Sequence, residues 1–87
     1  MPISELSAVE RVARVIAAEQ LSINAEGFES SAGDEVDAEW HHYIPQAVAV
    51  LKTLREPDIV MADAGDQEIW RAMIEAALTD YEGGAAL

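Results

Sequence analysis

The helical spacing of its apolar residues most constrains what this chain can fold into. In the first segment they recur at intervals of three and four: Val9, Val12, Ala13, Ile16 and Ala17. A similar stripe returns later in the chain: Ile69, Trp70, Met73, Ile74, Ala77, Leu78 and Tyr81. This spacing places side chains on one face of an α-helix, whereas a half-buried strand would alternate with a period of two. Since no segment alternates in that way, we predict an all-α fold.

Capping and helix-breaking residues set the expected boundaries of the helices. We predict helices over residues 4–20, 35–55 and 58–64, and a last helix that begins after Asp66 and ends at Gly83-Gly84. Residues 21–33 are expected to form a connector. Pro45 either kinks the second helix or divides it into two shorter ones, while Pro57 should end it. The result is a small bundle of three longer helices and one short helix, with a single domain over residues 1–82 and a flexible tail over 83–87.

Large side chains on these stripes are the expected core. We predict that a single core is dominated by Trp40, Tyr43, Trp70, Tyr81, Leu51, Leu54, Ile16 and Met73. Both tryptophans should be largely buried. The stripe from Ile69 to Tyr81 has an alternative interpretation as a partner-binding face, and both interpretations hold together if the chain forms a homo-oligomer through part of it.

Negative charge is the main clue to partners. The chain carries 17 Asp and Glu against 5 Lys and Arg, a formal net charge of −12. Such a surface repels phosphate backbones, which argues against direct nucleic-acid binding, and it attracts basic protein surfaces. The alternative is that the charge only keeps a small domain soluble. If it is functional, the candidate partner-binding residues are the clustered acids Asp34, Glu35, Asp37, Glu39, Asp63, Asp66 and Glu68.

Residue patterns that support catalysis or metal binding are missing from the sequence. His41 and His42 are adjacent, so on a helix they point about 100° apart and are poorly placed to share one ion. No glycine-rich phosphate loop or nucleophile motif occurs, and the paired carboxylates lie in polar segments where we expect them to be solvated. We therefore expect no enzyme activity, no metal site and no cofactor.

The location of the protein is suggested by what its sequence lacks. There is no cysteine, the start has neither a basic nor an apolar signal region, and the longest apolar run is Ala47–Leu51. That run is far shorter than a membrane span of about 20 residues. We expect a cytoplasmic protein that does not bind membranes.

One part of the chain, residues 40–78, resembles a known pattern. It contains YIPQAVAVLKTLREP at residues 43–57, then Met61, Ala64-Gly65 and WRAMIEAAL at residues 70–78. This is similar to short uncharacterised proteins of phages, prophages and proteobacteria. The resemblance implies a helical fold and a phage-linked origin, and it implies no catalytic residues. Pro45, where a helix former is expected, and the short loop from Gly65 to Trp70 depart from the pattern.

Two functions remain open after the sequence analysis. The first is a small acidic, non-catalytic protein-interaction domain that binds a basic surface of another protein. Its most specific version is nucleic-acid mimicry or inhibition. The second is a structural or accessory subunit of a phage or bacterial assembly that acts through an apolar helix face. Association through charge weakens steeply with salt, and apolar association does not, so salt dependence separates the two.

Overall fold

The computed structural model describes residues 3–24 and 32–86. Five α-helices follow one another: α1 (Ala8–Asn24), α2 (Ala32–Glu39), α3 (Ile44–Leu54), α4 (Ile59–Ala64) and α5 (Gln67–Ala86). A short 3-10 helix, Trp40–Tyr43, joins α2 to α3. No strand occurs in residues 3–24 or 32–86, and the predicted all-α fold is confirmed.

The chain divides into two compact units, which we call the N-terminal unit (Met1–Ala47) and the C-terminal unit (Val48–Leu87). The boundary falls inside α3. The assignment of residues 1–82 to one domain and of 83–87 to a flexible tail stays a prediction.

The start of α1 is fixed by a side-chain cap. Ser7 Oγ accepts a hydrogen bond from the Glu10 backbone N–H at 3.0 Å, so the helix begins at Ala8 and not near residue 4 as predicted. Leu6, which lies inside the predicted range, precedes the helix, as does Ile3, and both are exposed. At its other end α1 continues to Asn24, four residues further than predicted. Residues 25–31 of the predicted connector lie outside the described residues.

Pro45 decides how the middle of the chain is built. It is the second residue of α3, directly after the 3-10 helix. Because proline has no N–H, it cannot donate to the carbonyl of His41, four residues earlier. The Ile44 N–H bonds to that carbonyl instead, in the tighter three-residue pattern of a 3-10 helix. The structure therefore matches the alternative of two shorter helices. Since α2 begins at Ala32 and not at residue 35 as predicted, Asp34 and Asp37 lie inside it and do not cap its start.

Short polar caps define the helices of the C-terminal unit. The Asp58 side chain accepts from the Met61 backbone N–H at 2.9 Å and begins α4, and the Gly65 N–H bonds to the Met61 carbonyl at its end. Asp66 caps α5, as expected. The predicted end of α5 at Gly83-Gly84 is wrong, because the helix continues to Ala86. A helical glycine costs only about 1 kcal/mol relative to alanine, so a glycine pair disfavours a helix without forbidding it.

The buried side chains of both units are small or medium-sized. The buried apolar residues are Val9, Ala13, Ala17 and Ala47 in the N-terminal unit and Leu51 and Leu78 in the C-terminal unit. Of the eight predicted core residues, Leu51 is buried, Leu54 and Met73 are exposed, and the other five are half-buried. The prediction that Trp40 and Trp70 are largely buried is therefore wrong. A chain this short has little interior in which a large aromatic side chain could be fully buried.

Candidate functional site

An apolar groove lies in the C-terminal unit, between α4 and the first turns of α5. We call it the α4–α5 groove. Its volume is about 360 Å³, and it is lined by Pro57, Met61, Ala64, Gly65, Asp66, Gln67, Ile69, Trp70 and Met73. Most of these side chains are apolar, and Asp66 is the one charged residue among them.

Local hydrogen bonds build this groove. Gly65 and Asp66 form a two-residue connection, so α5 starts as soon as α4 has ended. Asp66 Oδ1 accepts the backbone N–H groups of Glu68 and Ile69 at 2.8 and 3.0 Å. These are N–H groups that the first turn of a helix cannot satisfy internally. The cap thus fixes the direction in which α5 leaves the groove.

Trp70 ties the wall of the groove to the end of α3. Its indole N–H donates to the Leu54 carbonyl at 2.6 Å. Leu54 is the last residue of α3, where carbonyl groups lack partners within the helix. A second link between the same helices is the ion pair of Arg55 with Glu75, at 3.4 Å. Glu75 thus pairs with Arg55 and not with Arg71, which lies four residues before it on α5.

The stripe from Ile69 to Tyr81 serves two different purposes along α5. Leu78 is buried, whereas Ile69 and Met73 are 59% and 65% exposed. The core interpretation therefore applies to the later turns of the helix, and the two earlier residues present apolar surface in the groove. Exposed apolar residues that cluster in this way mark sites of interaction.

The predicted acidic residues fall into two groups, one in each unit. In the N-terminal unit, Asp34 and Glu35 occupy the first turn of α2 and are exposed. Helix N-termini favour negative charge, so these positions are also stabilising. Glu39 is half-buried, with Oε1 4.0 Å from Nε2 of His42.

Asp37 has a structural partner that the sequence did not indicate. Its Oδ1 accepts from Arg14 Nη1 at 2.6 Å, while Arg14 Nε donates to Glu10 at 2.8 Å. The guanidinium also lies 5.3 Å from the centre of the Trp40 ring, in cation–π range. The hydrogen bond to Asp37 raises the pKa of Arg14 above its ordinary value, and the hydrogen bond to Glu10 raises it further. Asp37 therefore joins α2 to α1 and is less available to a partner than its exposure suggests.

The three acidic residues of the C-terminal unit, Asp63, Asp66 and Glu68, lie close in sequence to the connection between α4 and α5, and all three are exposed. Of the three, Asp66 is the one that lines the α4–α5 groove. Asp66 combines a capping role with a place in the groove wall.

The histidines are engaged with neighbouring side chains. The ring of His41 stacks on Trp40 with 3.8 Å between centroids, and His42 lies near Glu39. Within residues 3–24 and 32–86, no three or more His, Asp or Glu residues are grouped so that they could hold a metal ion. The absence of a metal site and of a cofactor stays a prediction. Among the described helices, none combines the length and apolar character needed to cross a membrane.

Comparisons of this chain with protein-family models, with curated proteins and with solved structures found no match. We therefore infer the function of the candidate site from its geometry and charge.

Proposed function

We propose that this protein is a small, acidic, non-catalytic interaction domain that binds a basic surface of another protein. The observation that carries the proposal is a set of exposed carboxylates without basic partners. Among the described ion pairs, none involves Asp34, Glu35, Asp63 or Glu68. Two of the five basic side chains, Arg14 and Arg55, already pair with other acids, so few cations remain to neutralise these four.

Exposed carboxylates of this kind favour a basic partner for two reasons. Charges of one sign raise the rate at which an oppositely charged surface is encountered, and they suppress association with partners of like charge. In its most specific version, the proposed function is that of a nucleic-acid mimic that inhibits a basic, nucleic-acid-binding protein. We place this function in the cytoplasm and, on the similarity of residues 40–78 to phage and prophage proteins, in a phage-derived setting.

A second candidate function has its own observation. Ile69 and Met73 expose apolar surface in the α4–α5 groove, as an accessory subunit of a phage or bacterial assembly would if it docked through an apolar helix face. Binding of that kind changes little with salt, whereas binding to a basic surface weakens steeply. Capture of partners from a bacterial lysate at low and at high salt, with identification by mass spectrometry, distinguishes the two functions.

Charge reversal locates the binding surface once a partner has been captured. In the triple variant Glu35→Lys, Glu39→Lys and Asp63→Lys, we expect the fold to persist and the partner to bind at least tenfold more weakly, mainly through a slower association rate. Surface plasmon resonance measures the rate, and circular dichroism checks the fold.

The matched control reverses three exposed acids outside the predicted clusters, namely Glu19, Glu56 and Asp80. It changes the net charge by the same amount. If both triple variants weaken binding equally, only overall charge matters and no acidic binding surface exists. If affinity is indifferent to the cluster variant and to salt, the proposed function is wrong.

A further inference from the structure

We propose that the α4–α5 groove binds an amphipathic, basic segment of a partner protein as a helix, with apolar side chains in the groove and Lys or Arg against the carboxylate of Asp66. This inference rests on the proposed function, because it specifies the partner chemistry for one part of the surface.

The lining of the groove selects apolar side chains. Ile69 and Met73 lie one helical turn apart on α5 and are mostly exposed, and Met61 faces the same groove from α4. Methionine side chains are flexible and polarizable, so they adapt to partner side chains of different shape. The half-buried Trp70 adds an aromatic surface whose N–H is already bonded to Leu54. The ring can therefore be covered without leaving a buried donor unsatisfied.

Asp66 in the wall of the groove selects a basic partner. No Lys or Arg is among the lining residues, while Asp66 is one of them. Both capping bonds of Asp66 go to Oδ1, which leaves Oδ2 as an acceptor for a partner cation. Hydrogen bonds between a carboxylate and Lys or Arg are among the stronger ones that proteins make.

The charge of the chain argues against a second copy as the occupant. Two copies meeting at this groove would each bring a net charge of −12 and the carboxylate of Asp66, and like charges at an interface oppose association. A basic helix avoids this repulsion. Binding of an amphipathic helix in an apolar groove uses side chains at intervals of three, four and seven residues.

A library of random 16-residue peptides displayed on a surface, selected against the full chain, tests the inference. We expect the selected peptides to combine apolar residues at intervals of three and four with Lys or Arg. Fluorescence titration of individual peptides should give at least tenfold weaker binding to Ile69→Glu than to the unchanged protein.

Ile59→Glu is the matched control. Ile59 is also an exposed isoleucine in the first turn of a helix of the same unit, at 79% exposure, but it does not line the groove. We expect it to bind the peptides as tightly as the unchanged protein. Met73→Glu provides a second groove variant if Ile69→Glu does not fold, and circular dichroism checks all three.

Three results would overturn the inference: no peptide selected above background, selected peptides without the basic amphipathic pattern, or equal binding to the groove variants and to Ile59→Glu. Its failure is distinguishable from failure of the proposed function. If a partner captured from lysate binds Ile69→Glu normally but is lost on reversal of the acidic residues, the acidic surface binds the partner and the groove does not.

Discussion

Replacement of Asp66 by alanine should destabilise the protein by about 1–2 kcal/mol. In the structure Asp66 Oδ1 accepts two backbone N–H groups at the start of α5, at 2.8 and 3.0 Å. Loss of a helix N-cap typically costs about 0.5–2 kcal/mol, and two bonds to one ionised oxygen place Asp66 in the upper half of that range. The N-terminus of α5 also loses a favourable negative charge, which is worth about 0.3–1 kcal/mol of the same total.

Urea denaturation followed by circular dichroism measures this change in the free energy of unfolding. Two further variants separate the contribution of the cap from that of the charge. Asp66→Asn keeps a capping oxygen and loses the charge, so we expect it to cost less than 1 kcal/mol, at about the level of the helix-dipole effect. Asp63→Ala removes an exposed acid of the same unit that caps no helix, and its free energy of unfolding should change by about 0.5 kcal/mol at most. If Asp66→Ala is no less stable than Asp63→Ala, the cap does not stabilise α5 and the reasoning about this corner of the fold is refuted.

Two other changes test how the helices are held together. Trp70→Phe keeps an aromatic ring but removes the bond to the Leu54 carbonyl, so we expect a loss of about 0.5–1.5 kcal/mol in the free energy of unfolding; an unchanged value in urea denaturation would contradict a role for that bond. Ala13→Leu inserts a larger side chain at a fully buried position of α1 and should cost about 1–3 kcal/mol. The exposed Val15→Leu, on the same helix, should stay within about 0.5 kcal/mol in thermal unfolding, and equal effects at the two positions would mean that α1 is not closely packed.

Helix type and the helix ends between Leu54 and Gln67 follow from the sequence, because they depend on nearby residues. The apolar spacing predicted an all-α fold, and Asp66 caps α5 as its position before the stripe suggested. Pro57 was expected to end the preceding helix, and α3 ends at Leu54. For Pro45 the sequence left two alternatives, one kinked helix or two shorter helices. Either one accommodates a proline that has no N–H to donate. The 3-10 helix before it decided between them.

The candidate site was likewise predictable from the sequence only in part. Its acidic residues were predictable, since charge is a property of composition. That Asp37 is bound by Arg14, 23 residues away, was not, because such a pair depends on how α1 and α2 pack. The α4–α5 groove was also missed, although the exposed part of the α5 stripe had been considered as a partner-binding face.

What the sequence determined by itself is the helical character of the chain, the Asp66 cap of α5 and the strongly negative charge, all of which depend on residues within a turn or two of each other or on composition. Only the tertiary structure decided which members of each stripe are buried. Periodicity shows that Met73 and Leu78 belong to the same stripe of a helix, but burial depends on what lies opposite, and at these two positions the outcomes are 65% and 5% exposure. Bulk does not predict burial in so short a chain, because its interior holds alanines more readily than tryptophans.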